Sequence, residues 1–174
     1  SKGRLELGVG AGWLKDEHVA FGFGWSKRLV RIERLKEAVR IVGKLWTENH
    51  VSYQGKYFEL RDATLEPKPF QKPHPPIWIG GNSSAIKGVV AEVGDGWIPV
   101  LPTVEQIAKG LMEIKDRMKH FGRDPERLQV AYGGSGCVVI AENEELVKKL
   151  AEPLVRSMGK PLEELTCLIG TPEQ

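Results

Sequence analysis

Cysteine is close to absent from this sequence. Cys137 and Cys167 are the only two among 174 residues, thirty positions apart and in neither CxxC nor CxxxC spacing. A disulfide scaffold and a cysteine-held zinc site are thereby disfavoured, no metal is expected, and two buried thiols in a reducing cytoplasm are expected instead. Long apolar runs are missing too: nothing approaches the roughly 20 residues that a helix needs to span a bilayer. No charged, apolar, small-residue leader opens the chain, so a soluble, cytoplasmic protein without a membrane partner is expected. Neither sign of charge dominates. Lys and Arg total 25 against 23 Asp and Glu, for a formal +2, and these charges are scattered rather than gathered into a stripe. Nucleic acid is therefore not expected as a partner.

What the chain does have is 41% hydrophobic residues, enough for one sizeable core and one domain. Its organising stretch is residues 75–100, PPIWIGGNSSAIKGVVAEVGDGWIPV. Pro75 and Pro76 end what precedes, and Ile77, Trp78 and Ile79 form an apolar run too short for a helix, hence a buried strand. Gly80, Gly81, Asn82 and Ser83 break it. Ala85, Ile86, Val89, Val90 and Val93 then recur at three- and four-residue steps, which predicts a helix with one buried face. After Gly94 and Gly96 a second apolar run opens at Trp97. Strand, glycine loop, helix and strand make a βαβ unit, which implies parallel strands.

The loop between that strand and helix carries the chemistry. Two glycines admit a ligand close to the backbone, and Asn82, Ser83 and Ser84 stand where the free amides of a helix N-terminus point outward. The combination suits a phosphate or another anion. The alternative is that Asn82 or Ser83 caps the helix and the glycines only make a tight turn. The loop matches neither a P-loop nor a GxGxxG fingerprint.

The same pattern opens the chain. Residues 5–9 alternate as a strand and lead into Gly8, Gly10 and Gly12, a second glycine-rich turn at a strand's C-terminal end. Strand followed by glycine loop, repeated, is what an α/β protein with one functional rim shows. Residues 14–26 are irregular and read as a loop over the rim that can hold a helical turn; His18 there is either a general acid or base or a solvated histidine. A helix follows, with Leu29, Ile32, Leu35, Val39, Val42, Leu45 and Trp46 inward and a charged face, including Arg31, Glu33 and Glu37, in solvent.

Residues 48–76 interrupt the alternation with a hairpin turning at Gly55 and a proline-rich extended path, an insertion within the single domain 1–174. His74 falls at the foot of the next strand and is assigned a structural role. From Thr103 or Val104 to about Phe121 a helix buries Ile107, Leu111, Ile114 and Met118. Residues 128–132 and 137–141 are one bulged strand or two, and the intervening Gly133, Gly134, Ser135 and Gly136 form a turn, a bulge or a third ligand loop. Residues 144–158 are helical with Leu146, Val147, Leu150, Leu154 and Val155 inward, and Pro153 is expected to kink or end that helix. One more short helix is expected in 159–174, where Thr171 resembles an N-cap.

Several of these stretches also resemble a known family. They are SKGRLELGVGAGW (1–13), ERLKEAVRIVGKLW (33–46), VSYQGKYFEL (51–60), EPKPFQKPHPPIWIGGNS (66–83), GDGWIP (94–99), GRDP (122–125) and GTPEQ (170–174). In that order they resemble the luciferase-like monooxygenases, closest to the coenzyme F-420-dependent, or deazaflavin-dependent, oxidoreductases. The resemblance implies an α/β TIM barrel with its flavin or deazaflavin across the C-terminal rim. It makes Gly80, Gly81, Asn82 and Ser83 the phosphate cradle and sets Gly8, Gly10 and Gly12 along the cofactor on the neighbouring strand end. Trp97 is then packing rather than a stacking platform.

The cofactor implied is coenzyme F-420 or FMN, and the partner a small organic substrate. The positions that serve the family as acid or base precede Ser1, so no catalytic residue is assigned. A (β/α)8 barrel takes about 250 residues, and this chain matches the later strands only. A partial barrel is expected, hidden by self-association or by a missing N-terminal half. The contrasting expectation is a non-catalytic half-barrel that binds a phosphate-bearing ligand or merely assembles.

Overall fold

A computed structural model describes residues 1–133, 138–159, 161–162 and 168–172. The chain opens with β1 (Leu7–Val9), a short helix α1 (Lys15–Ala20) and a long one, α2 (Arg28–Thr47). The hairpin β2 (Val51–Gln54) and β3 (Glu59–Ala63) comes next, closed at Gly55, whose N–H donates to Phe58 O at 2.9 Å. The central unit is β4 (Ile77–Gly80), α3 (Ser84–Val93) and β5 (Gly96–Ile98). Then follow α4 (Val104–His120), β6 (Gln129–Val130), β7 (Val138–Ile140), α5 (Glu144–Met158) and β8 (Leu168–Gly170).

Strands β1, β4, β5 and β6 lie in that order in one sheet, every pair parallel, with Leu7 opposite Ile77 and Trp78 opposite Gly96. Parallel neighbours need a crossover between them, and α2, α3 and α4 are those crossovers. Side chains alternate across a strand. Ile77, Ile79 and Trp97 turn toward the helices and join Ile32, Leu35 and Val39 of α2, Ile86, Val89 and Val90 of α3, and Ile114 and Met118 of α4 in one buried cluster. Trp97 is 2% exposed, so it is a packing residue.

The helices start where side-chain oxygens accept the first free amides. Ser83 Oγ accepts from Ile86 N, Asn143 Oδ1 accepts from Leu146 N, and Thr103 and Gln106 form a reciprocal capping box. Helix α5 runs past Pro153 to Met158 and stops at Gly159, whose φ of 62° is the left-handed conformation glycine adopts without strain.

Three expectations change. Glu37 is 6% exposed and not on a solvated face: its carboxylate accepts from Tyr57 N at 2.8 Å and from Tyr53 Oη at 3.4 Å, docking the hairpin on α2. Leu29 is exposed while Ile41 is buried, because the hairpin and α3 cover a wider part of α2 than its apolar stripe marks. In α5, Val147 and Ala151 are buried whereas Leu146 and Leu150 are exposed. The choice left open between one bulged strand and two falls to two strands in two sheets, since β6 pairs with β5 and β7 pairs in parallel with β8, a strand not foreseen in the sequence. Gly134, Ser135, Gly136 and both cysteines lie outside the described residues, as does most of the segment read as a last helix. No helix among the described residues is long and apolar enough to cross a membrane.

Candidate functional site

The C-terminal ends of β1, β4 and β5 form one rim, and most of the singled-out residues meet there. Gly8 pairs across the sheet with Trp78, and Gly10 follows two residues later, beside Gly80. A Cβ on Gly10 would lie 3.9 Å from Gly80 O, one on Gly80 would lie 3.7 Å from Val9 O, and one on Gly8 would meet nothing within 4 Å. By strand alternation Gly8, Trp78 and Gly80 share the face turned away from the helices. Among the described residues they form a strip whose one side chain is the Trp78 indole, and its buried Nε1–H has no hydrogen-bond partner among them.

Gly81 turns the strip into α3. Its φ is +131°, a conformation that L side chains rarely adopt. Its N–H donates to Ile98 O at 3.0 Å and its carbonyl accepts from Trp97 Nε1 at 2.8 Å, which fixes the turn to β5. The Asn82 side chain is engaged on both sides: Nδ2 donates to Val100 O at 2.7 Å and Oδ1 accepts from Val100 N at 2.8 Å. Asn82 thus clamps the two rim loops together, and Ser83 is the helix cap. Ser84 is held from α4, with its Oγ donating to Glu113 at 2.7 Å and Arg117 donating to its carbonyl at 2.6 Å. What this loop offers an oxyanion is therefore main chain: the first amides of α3 have no intrahelical acceptor and sit at the positive end of the helix dipole.

Glu113 shapes the field next to that turn. Burial pushes its carboxyl up, but hydrogen bonds from Lys87 and Ser84 and the charges of Lys87 and Arg117 outweigh this and hold it below the usual carboxylate range. A cavity of about 270 Å³ lies against the clamp, lined by Asn82, Trp97, Gln106 and Lys109.

On the β1 side a larger cavity of about 580 Å³ opens between Gly10 and Ala11, the α1 segment and the face of α2. His18 stands at its wall. His18 Nδ1–H donates to Leu14 O at 3.0 Å, and the ring meets Trp25 edge-on with centroids 4.9 Å apart. Gly12, at φ +75°, leaves room for it, since a Cβ there would come 2.5 Å from the imidazole Cε1. Gly12 thus accommodates His18, whereas Gly8 and Gly10 belong to the open strip.

Arg31 is the site residue that sequence reasoning placed in solvent. From α2 its Nε donates to Ala11 O at 3.2 Å and Nη1 donates to Ser26 O, while the guanidinium stacks 3.7 Å from the Trp25 ring centroid. It ties both ends of the α1 segment to the rim. Its helical position looked like that of its solvated neighbours, so nothing in the periodicity marked it. Among the described residues no group of three or more His, Cys, Asp or Glu is placed to hold a metal ion.

Comparison with known proteins bears on the family and the fold. The family model described as "Luciferase-like monooxygenase" matches residues 1–166. The FMNH(2)-dependent dimethylsulfone monooxygenase of Pseudomonas putida is 29% identical over 153 residues, 88% of this chain and 41% of that protein. The F420-dependent glucose-6-phosphate dehydrogenase of Microbacterium testaceum is 38% identical over 96 residues, 55% of this chain and 28% of that protein. Among solved structures, a monooxygenase from Streptomyces bottropensis superposes with a TM-score of 0.75 at 25% identity, over 99% of this chain and 56% of that one. The chain thus spans less than half the length of those two relatives and about half of that structure. Its parallel strands and outer helices are part of an α/β barrel of the TIM type. The chain belongs to the luciferase-like monooxygenase family.

Proposed function

We propose that this chain supplies the phosphate-binding side of a flavin or deazaflavin site in an oxidoreductase acting on a small organic molecule. The observation that carries the reading is the side-chain-free strip of Gly8, Gly10 and Gly80 leading to the N-terminus of α3. The residues fit the group: a flat ring system can lie along a strip without Cβ atoms, the unpartnered Trp78 indole N–H is a donor on the same face, and a phosphate suits the helix amides. Gly80, Gly81 and the main chain of Asn82 and Ser83 would hold the phosphate, while Gly8 and Gly10 flank the ring. Bound there, the cofactor would supply hydride exchange as coenzyme F-420 or oxygen activation as FMN. This chain's part is to orient the group and present one fixed face of it. Asn82 holds the two rim loops in register, and Trp97 fixes the Gly81 turn from below.

A bare sheet edge at β1 and exposed Trp13, Val138, Ile140 and Leu150 support a companion for this arc, either a second copy or a complementary half-barrel. A compact micromolar monomer in sedimentation, without apolar-dye binding, would speak against that part.

The test of the site is titration with FMN and with coenzyme F-420, followed by absorbance. One of the two is expected to bind, and Gly10→Val, which fills the strip without needing an unusual φ, is expected to weaken it at least tenfold. Binding that is indifferent to Gly10→Val and to Ser83→Ala with Asn82→Ala would overturn the assignment. Binding without reductant-dependent turnover would support the non-catalytic reading.

A further inference from the structure

The N-terminal ends of β4, β5 and β6 lie at the opposite end of the sheet from the rim, and a further cavity opens there. It holds about 510 Å³ and is bounded by residues 72–76 before β4, the turn 94–95 before β5 and residues 122–129 leading into β6. That volume falls within the range of small-molecule sites. The charged residues lining it are Lys72, His74, Asp95, Arg123, Asp124 and Arg127. Three permanent cations stand against two carboxylates, so this lining carries one positive charge in excess with His74 neutral.

Both carboxylates are engaged by main chain. Asp95 Oδ2 accepts from Ile77 N at 3.0 Å, and Asp124 Oδ1 accepts from Glu126 N at 3.0 Å. Arg123 is half-buried. Its Nη1 donates to Val90 O and Ala91 O at 3.1 Å each, near the C-terminal end of α3, and Nη2 lies 3.5 Å from Asp95 Oδ1. Burial pushes this guanidinium below its ordinary value, and the charge of Asp95 offsets that only in part. A partly desolvated cation in this condition gains from a further anion. The Asp95–Arg123 contact accounts for how the strand ends are stapled; it does not account for an open volume flanked by the exposed Lys72 and Arg127.

We propose that this cavity binds a small polyanion with two linked phosphoryl groups, Arg123 meeting it at the floor and Lys72 and Arg127 closing on it from the two flanking segments. Cations contributed by separate segments suit linked oxyanions better than a single one, and guanidinium donors match phosphoryl oxygens in a bidentate way. The site is independent of the proposed cofactor cradle, which lies at the other ends of the same strands. A ligand held here bridges the entries of three strands and therefore stabilises the folded chain.

Calorimetric titration with inorganic phosphate, pyrophosphate and ADP at constant ionic strength tests the assignment. Pyrophosphate is expected to bind about tenfold or more tightly than phosphate, the range of one added charge-assisted hydrogen bond, and to raise the urea midpoint of the protein. Tighter binding of ADP than of pyrophosphate would identify an organic diphosphate as the occupant, and equal binding the phosphoryl groups alone. Arg127→Gln combined with Lys72→Gln, both at exposed positions, is expected to lower pyrophosphate affinity about tenfold or more and to abolish the midpoint shift, while leaving the midpoint without ligand unchanged. Asn82→Ala with Ser83→Ala, which alters the rim, is expected to leave pyrophosphate binding as it was. Equal affinity for phosphate and pyrophosphate, no binding of either, binding that survives Arg127→Gln with Lys72→Gln, or binding lost with the rim pair would overturn the proposal. FMN and coenzyme F-420 absorbance on the same samples scores the cofactor reading separately.

Discussion

Two helical glycines on opposite sides of a steric divide give the sharpest check of this structure. Glycine inside a helix is less stable than alanine by roughly 0.5–1 kcal/mol, so Gly→Ala normally stabilises. Gly43 in α2 is such a case, because a Cβ there would meet nothing within 4 Å. Gly110 in α4 is not: its Cβ would stand 2.2 Å from Trp97 Cη2 and 2.8 Å from Cζ3. The ring has little freedom to move, being 2% exposed in the core and hydrogen-bonded through Nε1 to Gly81 O at 2.8 Å. Overpacking against such a neighbour costs about 1–3 kcal/mol, which exceeds the propensity gain. Gly110→Ala is therefore expected to destabilise by about 1–2 kcal/mol and Gly43→Ala to stabilise by about 0.5–1 kcal/mol. In urea, with a slope of about 1–3 kcal/mol per molar, the two midpoints should fall on opposite sides of the unsubstituted protein. Because Trp97 also carries the Gly81 turn, Gly110→Ala should weaken cofactor binding as well. A Gly110→Ala midpoint equal to or above that of Gly43→Ala would refute the wedge between α4 and β5.

Three further outcomes follow from the same contacts. Glu37→Ala strips the buried acceptor from the Tyr57 amide and should cost about 1–3 kcal/mol, with proteolysis in 51–63 rising before the rest of the chain; unchanged nicking would show that the hairpin docks by other means. Glu113 is held below its usual value, so its stabilising contribution is present above the unfolded value near 4.5 and is lost as pH falls through the folded one. The stability gap to Glu113→Gln should then be flat above about pH 5 and close in acid, as measured by urea titration at several pH values. Gly12→Ala should destabilise the protein and displace His18, read as a shift of the imidazole NMR resonances, because both its φ of +75° and the ring oppose a Cβ; an undisturbed His18 signal would contradict that packing.

Much of the framework was legible in the residues. Periodicity placed α2, α3, α4 and α5, the Gly55 turn placed the hairpin, and the glycine loops placed the C-terminal rim, since each depends on forces acting across a few neighbouring positions. His74 at the foot of β4 and Trp97 in the core followed from the same reasoning, and both stand there: His74 Nδ1 lies 2.8 Å from Pro75 O, at the strand's entry. Motif order went further and gave the family, because a barrel's rim is built from short loops of fixed chemistry.

The sequence by itself therefore determined the alternation of strands and helices, the caps, the glycine strip at the strand ends and the family. Tertiary structure alone decided how individual polar side chains are used. Glu37 and Tyr57 are separated by twenty positions, Asn82 and Val100 by eighteen, and Arg31 and Ala11 by twenty. A carboxylate on a helix reads the same whether water or a hairpin amide lies beyond it, and only the packed chain sets that neighbour in place. For that reason Asn82 became a clamp between rim loops and Arg31 an anchor for the α1 segment.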